Sequence, residues 1–119
     1  MDLFDPTLTG LQVAMSGAMQ RQSLLANNLA NANTPGFKRS DLDFHTALAQ
    51  SFGGGASTSA QVSSVQFQPV QDGGSMQADG NDVDVDSEMS MLAQNQLDYQ
   101  ALASAMATRV QILQTAIKG

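Results

Sequence analysis

The longest pattern of apolar positions lies in the last third of the chain. Steps of four and three residues, alternating from Val85 to Ile117, reach apolar or aromatic residues at every position except Gln96. A spacing of 3.5 residues held over more than four heptads keeps one face of a helix toward a partner helix, as in a coiled coil. The pattern therefore predicts a long C-terminal helix whose seam contains Met89, Leu92, Tyr99, Met106, Val110, Leu113 and Ile117.

A shorter pattern with the same spacing lies near the N-terminus. Asp5 followed by Pro6 is a helix start signal, because Asp accepts a hydrogen bond from a free N–H group and Pro suits the first helical position. The predicted seam of this helix contains Leu8, Leu11, Met15, Leu25 and Leu29, with Gln22 as a polar member. The two seams are expected to pair, and one interpretation is that Gln22 meets Gln96 and fixes their register.

The first helix is expected to end near Asn33. Asparagine side chains compete for helical hydrogen bonds, and Pro35 disfavours the helical conformation of Thr34. The four residues from Thr34 to Phe37 fit a type II turn, with Pro at the second position and Gly36 at the third.

Two alternatives stand for the segment after the turn. Either Ser40 or Asp41 caps a short amphipathic helix that reaches about Gln50, or the segment is extended. From Ser51 to about Asn81 the chain is rich in Gly and Ser, which predicts a flexible connection. Four apolar residues there fit a short strand or hairpin arm that ends at Pro69 and the turn at 72–74: Val62, Val65, Phe67 and Val70.

These patterns predict a mainly α chain. Two long helices pair as a coiled coil, and a flexible middle joins them, in which a short strand or hairpin is one option. The predicted parts are the N-terminal coiled-coil helix with its Asn-rich turn at 1–36, the flexible middle at 37–81, and the C-terminal coiled-coil helix at 82–119.

Composition and charge narrow the function. The 119 residues include no Cys, so disulfides and thiolate metal sites are excluded. The net charge of −6 disfavours nucleic acid or an anionic membrane as the main partner. No apolar run is long enough to span a membrane. The first ten residues lack a basic region, so we expect no cleavable secretory signal.

The acidic residues between Asp79 and Glu88 invite a metal interpretation, but their spacing fails that of an EF-hand calcium loop. Capping of the long helix by Asp84 or Asp86 explains them better, with the other carboxylates near its positive end. His45 has no nucleophile nearby in sequence. We therefore expect no enzyme activity, no cofactor and no metal site.

Two stretches carry a resemblance to a known family. The run ANNLANANTPGFKR at 26–39 is similar to the N-terminal signature of bacterial flagellar rod and hook proteins, the axial proteins of the basal body. The blocks DGNDVDVDSEM at 79–89 and QNQLDYQAL at 94–102 resemble the proximal rod proteins of that family. The chain departs from the family at Phe37, where Tyr is usual, and in its short, Gly-rich middle. The motif residues are Asn28, Asn31, Asn33, Thr34, Pro35, Gly36, Phe37 and Lys38.

The resemblance implies a structural subunit of the proximal rod, whose terminal helices pair and whose copies stack helically around an export channel. The partners it implies are FlgC-like and distal rod proteins, the rod adaptor FliE, the membrane-ring base and the flagellar export apparatus. It also implies a place in the periplasmic rod, reached by type III export without a cleaved signal.

The role of one segment and the class of function both remain open. The segment from Asn31 to Arg39 is either a simple helix stop and turn, or an inter-subunit contact in which Lys38 and Arg39 meet a neighbour's acidic cluster. The whole chain could instead be a soluble helical adaptor or an export-chaperone-like module, which would fold and stay soluble alone. An enzyme or metal protein would show a preformed pocket or a metal-dependent melting shift.

Overall fold

Two long helices dominate the computed structural model, which describes residues 6–46, 49, 65–71, 78 and 80–119. Helix α1 spans Pro6–Ala30, strand β1 Ser40–Asp41, strand β2 Val70–Gln71, and helix α2 Val85–Lys118. The two strands pair antiparallel, with Ser40 opposite Gln71. The molecule is elongated, 63 × 26 × 14 Å. The predicted mainly α architecture with a short strand pair in the middle is confirmed.

The two helices run antiparallel. Near the end of α1, Asn28 contacts Glu88 in the first turn of α2, whereas ten residues earlier the Ala18 carbonyl meets Asn95, further along α2. Helix α1 begins at Pro6, as its start signal predicted. The capping role expected of Asp5 lies outside the described residues. No helix in the described part of the chain is both long and apolar enough to cross a membrane.

The core is thin and built mainly on α1. Gly17 is the point of closest approach, since a Cβ placed there would lie 2.7 Å from the Cβ of Phe44 and 2.9 Å from Cζ of Phe67. These two aromatic rings meet edge to face, 6.3 Å apart. The missing side chain of Gly17 therefore lets the middle segment pack on α1. The buried apolar residues are Leu8, Ala14, Ala18, Leu25, Ala32, Leu42, Phe44 and Val83.

The turn after α1 has the predicted type. Gly36 has a φ of 75°, which a residue with a side chain rarely adopts, and it stands at the third position of the turn. The Phe37 N–H donates to the Thr34 carbonyl oxygen over 3.2 Å, which closes the turn. The type II turn is confirmed.

The segment after the turn combines both alternatives, but the expected cap is wrong. Ser40 and Asp41 are extended in β1, and residues 44–46 are helical. Asp43 caps this helical segment, accepting from the Thr46 N–H over 3.1 Å. Asp41 is unavailable as a cap because its Oδ1 accepts from the adjacent Leu42 N–H and from Arg21.

The predicted strand in the middle segment is displaced. Residues 65–69 are not in a strand, and β2 begins at Val70, after Pro69 instead of before it. Pro69 has no N–H for a ladder, so pairing starts at the next residue. Val62 and most of the segment predicted to be flexible lie outside the described residues.

Helix α2 has the predicted start. Asp84 is its N-cap and accepts from the Asp86 N–H over 3.1 Å and from the Ser87 N–H over 3.5 Å. Lys118 stands in the last turn, where its charge complements the helix dipole. With 34 residues against 25 in α1, α2 is longer by roughly 14 Å.

Candidate functional site

A polar cluster joins the end of α1, the segment at 37–41 and the start of α2. We call it the junction cluster and define it as Asn28, Arg39, Asn81, Asp82 and Glu88, all of which are buried. Buried polar groups are expected to be hydrogen-bonded, so the partners of each one show what the cluster holds in place.

Asn81 closes the C-terminal end of α1 from a distance in sequence. Its Nδ2 donates to three carbonyl oxygens in the turn after the helix: Asn31 at 2.8 Å, Ala32 at 3.1 Å and Thr34 at 2.7 Å. Its Oδ1 accepts from the Val83 N–H over 2.7 Å. Carbonyl groups at a helix end have no partner within the helix, and here a remote side chain supplies one.

Arg39 and Glu88 form a buried ion pair at the centre of the cluster. Arg39 is 6% exposed and Glu88 0%, and the guanidinium Nε lies 2.5 Å from Glu88 Oε1. The Arg39 N–H also donates to Asp82 Oδ1 over 2.6 Å, and the Asp82 N–H donates to the Phe37 carbonyl oxygen. The segment after the turn is thus held to the residues just before α2 through both backbone and side chain.

Asn28 links this ion pair to β1. Its Nδ2 donates to the Ser40 carbonyl oxygen over 2.7 Å and to Glu88 Oε2 over 3.3 Å. Its Oδ1 accepts from the Ser40 N–H over 3.0 Å, so the amide pairs with Ser40 as a neighbouring strand would. Arg21 of α1 binds both carboxylate oxygens of Asp41, at 2.9 and 3.3 Å.

The surroundings of Asp41 and Arg39 favour the ionised form of each. Burial by itself would raise the pKa of Asp41, but hydrogen bonds from Arg21, the Leu42 N–H and Arg39, with the arginine charge, lower it below its ordinary value. Burial by itself would lower the pKa of Arg39, and the hydrogen bonds and charges of Glu88 and Asp41 outweigh this and raise it. Asp41 and Arg39 therefore both stay charged through the neutral pH range.

The segment from Asn31 to Arg39 forms the predicted helix stop and turn, and its two cations bind within the same chain. Arg39 pairs with Glu88 of its own chain, and the Lys38 ammonium donates to the Gly80 carbonyl oxygen. The antiparallel pairing brings the start of α2 beside the end of α1, so both cations find these partners within their own chain. A contact of this segment with a neighbouring subunit stays a prediction.

The predicted motif residues divide into two groups. Asn28 is buried in the junction cluster, and Asn31 is half-buried, where it accepts from the Thr34 hydroxyl and donates to Asn27. The side chains of Phe37 and Lys38 are half-buried. Asn33, Thr34, Pro35 and Gly36 are exposed.

The predicted seam on α1 lies inward. Leu8 and Leu25 are buried, and Leu11, Met15 and Leu29 are half-buried. On α2, Leu92, Tyr99, Met106 and Leu113 are half-buried. Three predicted seam residues on α2 are instead exposed: Met89 at 55%, Val110 at 39% and Ile117 at 68%.

The first half of α2 buries polar residues one position before the predicted seam. Glu88 and Asn95 are buried, where apolar spacing had selected Met89 and Gln96. Asn95 Nδ2 donates to the Ala18 carbonyl oxygen over 2.8 Å and to Gln22 Oε1 over 3.0 Å. The predicted partner of Gln22 is therefore wrong, since Gln22 meets Asn95 and Gln96 is exposed.

Sequence reasoning missed the roles of Asn81, Asp82, Glu88 and Asn95. A hydrophobic pattern passes over buried polar residues, and the acidic ones were assigned to the helix dipole. The available signal was their position inside the blocks at 79–89 and 94–102, which resemble the proximal rod proteins. Within the described part of the chain, no three His, Asp or Glu side chains are grouped to hold a metal ion. The arrangement holds chain segments together, as a structural joint does.

Comparison with known proteins identifies the class. The model of the family described as flagella basal body rod protein matches residues 11–38, which cover most of α1 and the turn. The FlgB protein of Bacillus subtilis (strain 168) is 35% identical over 100% of this chain and 98% of its own length. This chain belongs to the flagella basal body rod protein family.

Relatives that match along nearly the whole chain indicate which member of the family it resembles. The three relatives described here are all named flagellar basal body rod protein FlgB. Besides the Bacillus protein, that of Aeromonas hydrophila is 37% identical over 98% of this chain and 96% of its own length. That of Escherichia coli (strain K12) is 34% identical over 92% of this chain and 91% of its own length. The recognition of a rod protein from the two stretches is confirmed.

Proposed function

We propose that this chain is a structural subunit of the flagellar basal-body rod, in its proximal part. Copies assemble helically with other axial proteins into the transmission shaft and export channel that motility requires. The observation that carries the proposal is the similarity along the whole chain to proteins named flagellar basal body rod protein FlgB.

The surface of α2 supports an assembling subunit. Val110 is 39% exposed and Ile117 68%, and their spacing of seven residues places them on one face near the C-terminal end of the helix. Apolar side chains exposed together on an elongated molecule are typical of a protein that packs against others. The predicted seam then has two parts: its buried members close the helix pair, and Met89, Val110 and Ile117 pack between subunits.

The partners and location follow from the same proposal. The subunit would contact FlgC-like and distal rod proteins, the rod adaptor FliE and the membrane-ring base in the periplasmic part of the basal body. The flagellar export apparatus would deliver it there. An enzymatic function receives no support from the relatives, which are named as rod proteins.

Complementation of a bacterium that lacks its own FlgB tests the proposal. The unmodified chain should restore swimming. Replacing Val110 or Leu113 with Asp should abolish rod assembly and swimming, because a charge in an apolar contact between subunits is strongly unfavourable. Val110→Asp is the sharper variant, since Val110 is 39% exposed and its replacement leaves the core intact.

Gln111→Asp is the matched control, because it adds the same charge at an adjacent exposed position. It should swim. Circular dichroism should show the same helix content in both variants. Swimming restored by Val110→Asp as well as by the control would refute the proposed seam contact, and failure of the unmodified chain would refute the proposed function.

A further inference from the structure

An open groove of about 330 Å³ lies between the two helices, away from the junction cluster. In the described part of the chain its lining residues are Ala18, Met19, Gln22, Asn95, Gln96 and Tyr99. Met19 on its rim is 60% exposed, although it is a large apolar side chain. The groove therefore offers an apolar rim around a polar floor.

The side-chain oxygen of Asn95, a residue that lines this groove, is an unsatisfied hydrogen-bond acceptor among the described residues. The side chain is 1% exposed, and its Nδ2 is fully used by the Ala18 carbonyl oxygen and Gln22. Its Oδ1 is buried and has no hydrogen-bond partner among the described residues. A buried acceptor without a donor is unfavourable, so an incoming group that brings an N–H would gain a hydrogen bond here.

The end of α2 carries a matching surface. Val110, Gln114 and Ile117 are spaced by four and three residues, which places them on one face of the helix. All three are exposed, with Ile117 at 68%. This face thus presents an amide donor between two apolar side chains. The groove has the buried amide acceptor of Asn95 in its lining, together with Met19 and Tyr99.

The two surfaces cannot meet within one molecule. Asn95 and Gln114 belong to the same continuous helix and are separated along it by roughly 28 Å. The charges along α2 are also complementary between copies. Up to Asp98 the acidic residues of the helix that reach the surface are Asp86 and Asp98, whereas beyond Asp98 the helix has the exposed Lys118 and no acidic residue.

We propose that the groove receives the C-terminal end of α2 from a second copy of this chain. Gln114 of the incoming copy donates its amide N–H to Asn95 Oδ1, and its Val110 and Ile117 pack on Met19 and Tyr99. The surfaces differ on the two sides of the contact, so it is heterologous and adds copies head to tail. This inference deepens the proposed function and rests on it.

Disulfide trapping tests the contact, because the chain has no native Cys. Purified Gln96→Cys, at the rim of the groove, is mixed with purified Ile117→Cys and oxidised mildly. A disulfide between the two variants is expected to dominate over that from either variant alone. Ile112→Cys replaces Ile117→Cys in the matched control, because Ile112 is 54% exposed and lies on another face of the same helix end.

A second pair of variants tests the hydrogen bond. Gln114→Glu, introduced into the Ile117→Cys chain, replaces the amide donor with an acceptor and should lower the disulfide yield about tenfold. Gln111→Glu makes the same chemical change at a different exposed part of the helix surface and should leave the yield unchanged.

Equal yields from the Ile117→Cys mixture and the Ile112→Cys control would overturn the inference, as would indifference to Gln114→Glu. If the Gln96→Cys and Ile117→Cys mixture forms no disulfide between copies and Gln114→Glu still abolishes swimming, another protein occupies the groove, which also overturns the inference. Swimming restored by the unmodified chain reports on the proposed function separately, so the two can fail independently.

Discussion

Asn81→Asp is the most informative single substitution in the junction cluster. It changes the shape of the side chain very little, yet it replaces an amide that donates to three carbonyl oxygens, 2.7 to 3.1 Å away, with a group that has no N–H. Asn81→Ala is the natural comparison, because it removes the same donor without adding a charge.

The magnitude follows from which groups lose their partners. The Asn31 and Thr34 carbonyl oxygens keep backbone donors, whereas the Ala32 carbonyl oxygen loses the donor that Asn81 supplied. In Asn81→Ala the Val83 N–H also loses its acceptor. Each unsatisfied buried group costs about 1–3 kcal/mol, so Asn81→Ala should lower the free energy of unfolding by about 3 kcal/mol.

Asn81→Asp should cost more than Asn81→Ala at neutral pH, because an ionised carboxylate would face carbonyl oxygens. The folded state therefore favours the protonated acid and raises the pKa of the introduced carboxyl above its unfolded value. A raised pKa in an acid means that the destabilisation grows with pH between the unfolded and the folded pKa. The Asp variant should thus recover toward Asn81→Ala as the pH falls toward about 4, the unfolded pKa of Asp.

Urea unfolding followed by circular dichroism at several pH values measures both effects. The difference between the Asp and Ala variants should shrink as the pH falls. An Asp variant as stable as the unmodified chain at neutral pH would refute the capping role of Asn81. A difference between the two variants that is independent of pH would refute the electrostatic explanation.

Three further substitutions test other contacts. Glu88→Leu should lower the free energy of unfolding in urea by about 3 kcal/mol, because it removes the carboxylate nearest the buried Arg39 guanidinium and leaves the 3.3 Å contact with Asp41 in place. Adding Arg39→Met should recover much of this, and a loss under about 0.5 kcal/mol in Glu88→Leu would contradict the buried pair. Gly17→Ala should lower the melting temperature despite the usual helix gain of about 1 kcal/mol, because the new Cβ would lie 2.7 Å from Phe44 Cβ; a higher melting temperature would contradict the close packing. Asp41→Asn should reduce the fall in the free energy of unfolding as the pH is lowered into the acid range. The lowered pKa of Asp41 stabilises the fold above the unfolded pKa, and this contribution disappears as the pH falls through the folded pKa. The same dependence of stability on acid pH in the variant and the unmodified chain would contradict this.

Local chemistry made much of the fold predictable. The start at Pro6, the turn at Gly36 and the cap at Asp84 each depend on a residue type whose backbone preference or hydrogen bonding acts within a few positions. The seam of α1 was predictable because its inward positions are apolar or small. These features need no information about distant parts of the chain.

The junction cluster and the register of α2 could not be predicted from such local signals. Glu88 and Asn95 are buried because Arg39, Asn28 and Gln22 supply hydrogen bonds from elsewhere in the chain. A residue's burial there depends on a partner that sequence spacing cannot identify. The apolar pattern accordingly selected the neighbouring positions, and the structure shows them exposed.

The cap that Asn81 places on α1 also sets an order of events in folding. About 50 residues separate Asn81 from the carbonyl groups it binds, so the end of α1 is completed only after a long loop has closed. Contacts between distant residues form slowly because the loop entropy must be lost first. A partly emerged chain that ends before Asn81 therefore has an N-terminal helix without its cap. The end of the first helix thus receives this cap only once the residues just before the second helix are present.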